Sequence, residues 1–330
     1  MAIAHLSMEE KSSFFNFKGD ISLYFKTQQI FSNLYKVFPQ LSFLKEILEK
    51  NQWGNLRIDF SDHLASLNLQ LQFDKPLTEK ENILAQILSL PYSNKTMAQE
   101  IPLRSGSFVS LNLDFQEFYK LLSAYFRDKP EIYEKMQTGQ RALQYLSQKR
   151  PIEEVLFNWF DQEMGAIYLS GASAPLFLMR ITDYQNFTQG FQAFIGGVQG
   201  TLYGYPVYAI TLPGMYQFLK NLFAPSVQLP YFLQLNQEHL LFANSLKDLE
   251  TFLKIKQMKL ANSDNYQKIL KGLDKHGQIH FYADLTYGMI PLAQVSPLLL
   301  NLIQKHHTIG GSVSLHYPHI NIQMNLAKEN

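Results

Sequence analysis

Alternating apolar and polar residues predict antiparallel strands near both ends of the chain. Between residues 67 and 73, leucine and phenylalanine alternate with asparagine and glutamine, and residues 320–326 repeat that alternation with isoleucine, methionine and leucine. A period of two with one apolar face is typical of an antiparallel strand that packs against a core. The polar residues Ser61 to His63 predict the turn before the first of these strands.

A larger pattern of strand, helix and hairpin surrounds these two strands. Residues 21–25, "ISLYF", predict a strand, and apolar positions at spacings of three and four from Ile30 to Phe38 predict a helix after it. Near the other end, "IHFYA" at 279–283 predicts a strand followed by a helical stretch that prolines kink. A longer copy predicts a strand and helix over 107–126 and, after a polar insertion, a helix and hairpin over 153–181. We therefore expect a structural repeat.

The segments between the copies predict further elements of an α+β fold. A helix is predicted over 183–194, a strand over 205–212 and a hairpin over 231–244. Ser245, with Asp248 three residues later, predicts a helix N-terminus. We expect repeated strand–helix–hairpin units that form a curved antiparallel sheet with helices packed on one face. The expected divisions are an arm at residues 1–18 and three units at 19–105, 106–275 and 276–330.

Composition indicates a globular chain and argues against several classes of protein. The 330 residues are 46% hydrophobic and 17% charged, which provides ample material for a core. Lys and Arg number 29 against 28 for Asp and Glu, so a net charge of +1 gives no electrostatic footprint for nucleic acid. The absence of cysteine excludes disulfides, thiolate metal sites and cysteine nucleophiles. No apolar run of about 18 residues predicts a membrane-spanning helix.

Two motifs that resemble catalytic or phosphate-binding loops have ordinary structural interpretations. The glycine-rich stretch 196–206 lacks the residues of a phosphate loop and the spacing of a dinucleotide-binding turn, so we predict a helix stop and a turn before a strand. Ser173 in "SGASAP" superficially resembles a nucleophile elbow, which requires a strand on one side and a helix on the other. Both flanks here are strand-like, and we place Ser173 in a hairpin turn.

Histidines and carboxylates are the remaining candidates for chemistry. Six of the nine histidines follow residue 275: His276, His280, His306, His307, His316 and His319. Neutral imidazoles can bind zinc or act as bases, but the spacing matches no ligand set, and we expect surface or packed histidines.

Four acids surround Trp159 in "EEVLFNWFDQE": Glu153, Glu154, Asp161 and Glu163. On the predicted helix Glu154 and Asp161 share a face and could serve as acid and base. We expect instead that they solubilise the outer side. No catalytic, cofactor-binding or metal-binding residue is assigned.

Several stretches together resemble a family of bacterial cell-envelope proteins, a domain of unknown function that is typically exported behind an amino-terminal anchor. The stretches are "WGNLRIDFSDHLASLNLQLQF", "FNWFDQEMGAIYL", "YGYPVYAI", "FLQLNQEHLLFANSLKDLETFL" and "NYQKILKGLDKHGQIHFYADL". The resemblance implies an exported location in the bacterial periplasm or outer envelope, and it carries over no catalytic residues. The first residues lack the pattern of a signal peptide, so we expect membrane association only through an anchor that this sequence does not contain.

Three functions fit these observations. The leading hypothesis is a non-enzymatic envelope scaffold without a cofactor, whose aromatic-rich, weakly charged surface binds other envelope proteins. The alternative is a carrier of an apolar ligand such as a lipid, held between sheet and helices. The third is an unrecognised hydrolase, which a cluster of polar side chains in a deep pocket would favour.

Overall fold

Thirteen antiparallel strands form one sheet in the described part of the chain. The computed structural model describes residues 21–26, 51–61, 64–73, 86, 97–146, 150, 155, 157–192, 194–211, 230–274, 276–284, 307–316 and 319–327. The strands are β1 (Ile21–Lys26), β2 (Asn51–Phe60), β3 (Leu64–Phe73), β4 (Ser105–Asn112), β5 (Phe160–Leu169), β6 (Leu176–Ile181), β7 (Ile195–Leu202), β8 (Tyr205–Ile210), β9 (Tyr231–Gln234), β10 (His239–Ala243), β11 (Ile279–Asp284), β12 (Thr308–His316) and β13 (His319–Ala327).

The order of the strands brings the two ends of the chain together. It runs β1-β2-β3-β13-β12-β11-β4-β5-β6-β10-β9-β8-β7. The two similar alternating stretches are therefore direct neighbours, with Asn68 opposite Gln323 and Leu69 opposite Ile322. The predicted α+β class with an antiparallel sheet is confirmed, and strands from all three expected units lie in this one sheet.

The described residues contain five α-helices beside the sheet, each of about two turns or more. They are α1 (Phe115–Phe126), α2 (Pro130–Leu146), α3 (Tyr184–Phe191), α4 (Leu246–Ile255) and α5 (Asp264–Leu270). Side-chain caps fix the N-termini of four of them by accepting from backbone N–H groups of the first turn: Asp114, Asp183, Ser245 and Ser263. The predicted start of α4 at Ser245 is confirmed. The helices predicted from Ile30 to Phe38 and after β11 lie outside the described residues.

The helices pack on both faces of the sheet rather than on one. Leu241 and Phe242 are adjacent on β10, so their side chains point to opposite faces. Leu241 belongs to a core cluster with residues of α4 and α5, whereas Phe242 belongs to a cluster with Phe187 and Phe191 of α3. We call these the α5 face and the α3 face. The expected single helical face is wrong because the sheet has apolar side chains on both sides, and each side needs a cover.

Residues 160–169 form a strand where a helix was expected to continue past Trp159. β5 pairs with β4 on one side and β6 on the other, and these ladders satisfy its backbone groups. Asp161 contacts Arg180 on β6, with Oδ2 and Nε 3.1 Å apart. The side chain of Glu163 is wholly buried. The expectation that these acids solubilise an outer helical side is therefore wrong for Glu163.

The glycine-rich stretch is also a strand rather than a helix stop. β7 and β8 form a hairpin whose two-residue turn, Tyr203 and Gly204, has φ angles of 50° and 86°. Two successive positive φ angles are typical of the tight turn that joins antiparallel strands. Glycines fit here because β7 lies at the end of the described sheet and its pairing with β8 is irregular.

Candidate functional site

A cavity of about 420 Å3 lies between the α5 face of the sheet and α5. Strands β4, β5 and β11 supply its floor, and the short 3-10 helices at residues 97–99 and 260–262 cover it together with α5 and the loop after it. Most of the lining surface is apolar, and the apolar lining residues are Met97, Ala98, Phe108, Ala261, Leu270 and Leu273. The polar lining groups include Ser110, Glu163, Tyr266, Asp274, His276 and His280.

The register of three neighbouring strands gathers the polar groups of the floor. Ser110 on β4 lies opposite His280 on β11 and opposite Gly165 on β5. Asn112, two residues further along β4, lies opposite Glu163. Because side chains alternate between the faces of a strand, all five positions share the α5 face. Polar residues that are far apart in the sequence thus lie beside one cavity.

Gly165 allows the cover of the cavity to approach the sheet closely. A Cβ atom at this position would lie 2.5 Å from the Met97 sulfur and 2.9 Å from the Val109 carbonyl oxygen. Met97 is therefore able to pack directly over β5. Its backbone N–H donates to the Glu163 carboxylate at 3.3 Å, so the same residue closes the cavity and contacts the buried acid.

Two residues of the last hairpin hold α5 over the cavity. A Cβ at Gly310 on β12 would overlap Ile269 of α5, so the glycine permits close contact between helix and sheet. The Asn325 side-chain amide on β13 donates to the carbonyl of Ile269 at 2.7 Å and to that of Lys271 at 3.0 Å. These carbonyls belong to the end of the helix, where no intrahelical donor is available. The polar face of β13 thus caps α5.

The loop after α5 is tied to the same two strands. The Asp274 N–H donates to Gln323 on β13, and its carboxylate accepts from the Ser314 hydroxyl on β12. The N–H of His276 donates to Asp274 Oδ1 at 2.8 Å. These bonds hold the loop, including its cavity-lining residues, against the sheet.

An aromatic cluster forms one wall of the cavity. The ring centroid of Tyr266 on α5 lies 6.2 Å from that of Phe108 and 5.3 Å from that of Tyr282. Burial raises the pKa of Tyr266, and the negative charge of Glu163 raises it further. The phenol therefore stays protonated at neutral pH and can donate a hydrogen bond.

The structure separates the six late histidines into different environments. His280 is buried and lines the cavity, and His276 also lines it. His316 pairs with His319 in the backbone ladder at the end of the last hairpin, while His307 is exposed. His306 lies outside the described residues. Among the residues that the structure describes, no group of three or more histidines or acids could hold a metal ion.

Ser173 lies in the loop between β5 and β6, which confirms the predicted hairpin turn. Its N–H and hydroxyl donate to the Asp248 carboxylate at 2.9 Å and 2.7 Å. Asp248 is buried at the start of α4. This contact joins the loop between β5 and β6 to the start of α4.

Of the four acids around Trp159, Glu153 and Glu154 lie outside the described ranges.

The sequence did not single out Ser110, Asn112 or Tyr266. For Ser110 and Asn112 the signal was present as polar residues at alternate positions of a strand, which are equally typical of a strand facing water. No helix within the described residues is both long and apolar enough to cross a membrane.

No family model, curated protein or solved structure matches this chain.

Proposed function

We propose that this protein binds a small, mostly apolar molecule in the cavity beneath α5. The observation that carries the proposal is the cavity itself, about 420 Å3 of space whose surface is mainly apolar, with polar groups on its floor and in its cover. Volumes of roughly 300–1,000 Å3 with this mixture of side chains are typical of small-molecule sites. Apolar walls supply affinity, and the polar floor orients the ligand.

The position of the cover supports binding to a preformed site. α5 is fixed by Asn325, the loop after it by Ser314 and Gln323, and Met97 by its contact with Glu163. A ligand that enters a preformed cavity loses less free energy to ordering of the protein. We therefore propose a carrier or sensor of an apolar ligand, as the sequence suggested for its alternative function.

The experiment uses the purified full chain and the uncharged dye Nile red, whose fluorescence rises in apolar surroundings. We expect saturable binding to the unmodified protein. Ala261→Trp should fill part of the cavity and abolish that binding, because Ala261 lines it. Asn262→Trp, at the exposed position next to Ala261 and outside the lining, is the control and should bind normally.

Circular dichroism must show that both variants fold. Solvent extraction of the native protein, followed by mass spectrometry, should recover one recurring small molecule. Equal dye binding by Ala261→Trp and the unmodified protein would rule out this cavity as the site.

A protein-binding scaffold is a second candidate. Its support is the exposure of apolar side chains at the end of the sheet, where Ile21 is 43%, Leu23 50% and Phe60 52% exposed. Crosslinking in the native bacterial envelope, the location that the resemblance implies, should recover a reproducible protein neighbour if this function is correct. Failure to recover one would exclude it.

A hydrolase has one supporting observation as well. Ser110, His280 and Glu163 line the same cavity from three neighbouring strands, and these residue types can form a nucleophile, a base and its orienting acid. Hydrolysis of a simple nitrophenyl ester that Ser110→Ala abolishes would favour this function. We propose binding without catalysis, so we expect no such loss.

The expected repeat and the curvature of the sheet remain part of the proposal. The strands of the first and last units stand in mirrored order, β1-β2-β3 next to β13-β12-β11. Two copies of one unit, related by a local two-fold axis between β3 and β13, would give this order. Superposition of the two units in an experimental structure would test it.

A further inference from the structure

Four of the polar residues that line the cavity are buried, and two of these four carry hydroxyl groups. The four are Ser110, Glu163, Tyr266 and His280. Glu163 accepts from the Met97 N–H, and Glu163 and His280 each have a further interaction within the protein. Within the described residues, the side-chain oxygens of Ser110 and Tyr266 have no hydrogen-bond partner. Buried hydroxyls are normally bonded, so these two are the groups that a ligand in the cavity satisfies.

The phenol of Tyr266 is held in a fixed position. Its ring packs against those of Phe108 and Tyr282, with centroids 6.2 Å and 5.3 Å away. Its backbone N–H donates to the Ser263 hydroxyl at the start of α5, and Asn325 caps the other end of the same helix. A group that is in place before the ligand arrives costs little free energy to order.

The Tyr266 phenol acts as a hydrogen-bond donor. Burial raises its pKa, and the negative charge of Glu163 raises that pKa further. The phenol therefore keeps its proton at neutral pH, and the ligand atom that faces it is an acceptor. An ammonium group has three donors and no acceptor, so it would leave the phenol unpaired.

The charges of the lining disfavour an anionic acceptor. Two carboxyl side chains line the cavity, those of Glu163 and Asp274, and the described lining includes neither lysine nor arginine. A carboxylate that is buried without a cationic partner loses its hydration at a large cost in free energy. A neutral oxygen atom avoids that cost and still accepts from the phenol.

Resting on the proposed function above, we propose that the ligand is a neutral carbonyl compound, a ketone or an ester with a hydrocarbon chain. Its carbonyl oxygen accepts from the Tyr266 phenol, and its chain lies against Phe108, Leu270 and Leu273. The Ser110 hydroxyl offers a second donor on the floor, and a carbonyl oxygen has two lone pairs.

The first test is displacement of the dye N-phenyl-1-naphthylamine, which contains no oxygen, from the full chain at pH 8. The competitors have eight carbons each: 2-octanone, octanoate and octylamine. We expect 2-octanone to displace the dye at the lowest concentration. Stronger displacement by octanoate or by octylamine would overturn the proposal without the use of any variant.

Tyr266→Phe tests the hydrogen bond, because it removes one oxygen atom and keeps the ring. The concentration of 2-octanone needed for displacement should rise about three- to tenfold, since a hydrogen bond contributes that much. The concentration of 1-octene, which has eight carbons and no comparable acceptor, should stay the same. An unchanged result for 2-octanone, or an equal rise for both competitors, would overturn the proposal.

Infrared spectroscopy of bound 2-octanone observes the hydrogen bond directly, because a carbonyl group that accepts a hydrogen bond vibrates at lower frequency. Tyr168→Phe is the matched control, since Tyr168 lies on β5 and packs on the α3 face, away from the cavity. The carbonyl frequency should be low on the unmodified protein and on Tyr168→Phe, and higher on Tyr266→Phe. One frequency on all three folded proteins would overturn the proposal.

The failures of the two proposals are distinguishable. Nile red binding that survives Ala261→Trp unchanged, or no saturable binding at all, overturns the proposed function and this inference with it. Saturable binding in the cavity without a preference for the ketone, or without an effect of Tyr266→Phe on the ketone, overturns this inference alone.

Discussion

At the scale of single residues, the α5 face differs from an ordinary sheet surface in the polar side chains that it buries. They include Asn112, Glu163, His280, Ser312 and Ser314. Each stands at an alternate position of its strand, so the same period that places apolar residues on one face places these on the other. Buried polar groups need partners, and α5 and its loop provide several of them.

His239 should make stability fall in weak acid. It is buried on β10, and Nε2 has no hydrogen-bond partner in the described ranges, while Nδ1 lies 3.1 Å from Asn236 Oδ1. Burial lowers its pKa below the ordinary 6.5. Nearby charges act in both directions: Glu100 and Glu238 raise this pKa, and Arg180 and Lys259 lower it. The folded protein thus resists protonation here, whereas the unfolded chain does not.

The contribution of neutral His239 to stability is therefore fully present above the ordinary pKa of histidine. It is lost as pH falls towards the folded pKa of His239. Urea unfolding between about pH 7.5 and about pH 5.5 should show a falling free energy of unfolding. His239→Gln should reduce that fall. Burial also lowers the pKa of His319, so only a double variant with His319→Gln should remove the contribution of both. An undiminished fall in the double variant would contradict the prediction.

Residues with local partners could be predicted from the sequence, and those with distant partners could not. Ser245 caps the helix that follows it, and the Ser61 N–H donates to Leu64 across a tight turn. Such bonds depend on neighbours a few positions away. Asn112 and Glu163 depend on β4 and β5 pairing in one register, and nothing in either segment alone indicates which way a polar position faces.

At the scale of elements, the attachment of α5 depends on one amide. Asn325→Ala would leave the carbonyls of Ile269 and Lys271 without their donor, and unsatisfied buried groups cost about 1–3 kcal/mol. We expect the free energy of unfolding to fall by that amount, as measured by urea denaturation. Nile red binding should weaken too, because Leu270 and Tyr266 lose their fixed position.

Asn321→Ala is the matched control for this change. Asn321 lies on the same strand and the same face, and it is half-buried. Its replacement should alter the free energy of unfolding by less than about 0.5 kcal/mol. Equal effects of the two substitutions would show that the contact with α5 is not what stabilises this part of the protein.

Elements with strong periodic patterns were predicted, and those with weak patterns were missed. Strands β3 and β13 follow from strict alternation. α2 falls in a segment that is mostly polar and was taken as an insertion, although it forms a 17-residue helix. The first residues of β5, including Asp161, were assigned to a helix, because the sequence of β5 lacks a clear period of two.

At the scale of the whole molecule, the middle of the sheet should be its most stable part. β13 pairs along its length with β3 and β12, whereas β7 has β8 as its single described neighbour and most of its residues are exposed. Strands with few protecting contacts open more readily than central ones. We expect amides of 195–202 to exchange with deuterium at least roughly a hundredfold faster than those of 319–327.

Hydrogen exchange with mass spectrometry would measure both segments in one experiment. The hairpin β9–β10 is a suitable internal reference, because its strands are interior in the sheet and its core residues are buried. Its amides should exchange slowly, as those of β13 do. Slow exchange throughout β7 would mean that another segment protects this edge.

The pairing of β3 with β13 also has a consequence for synthesis. A ribosome makes β3 well before β13, so one side of β3 has no native partner until β13 has emerged. Contacts between such distant segments form slowly, and a strand that waits with an open side is prone to associate with other nascent chains. Emergence of β12 and β13 is thus the event that completes this part of the sheet, and a chain truncated before residue 308 would keep that side of β3 unprotected.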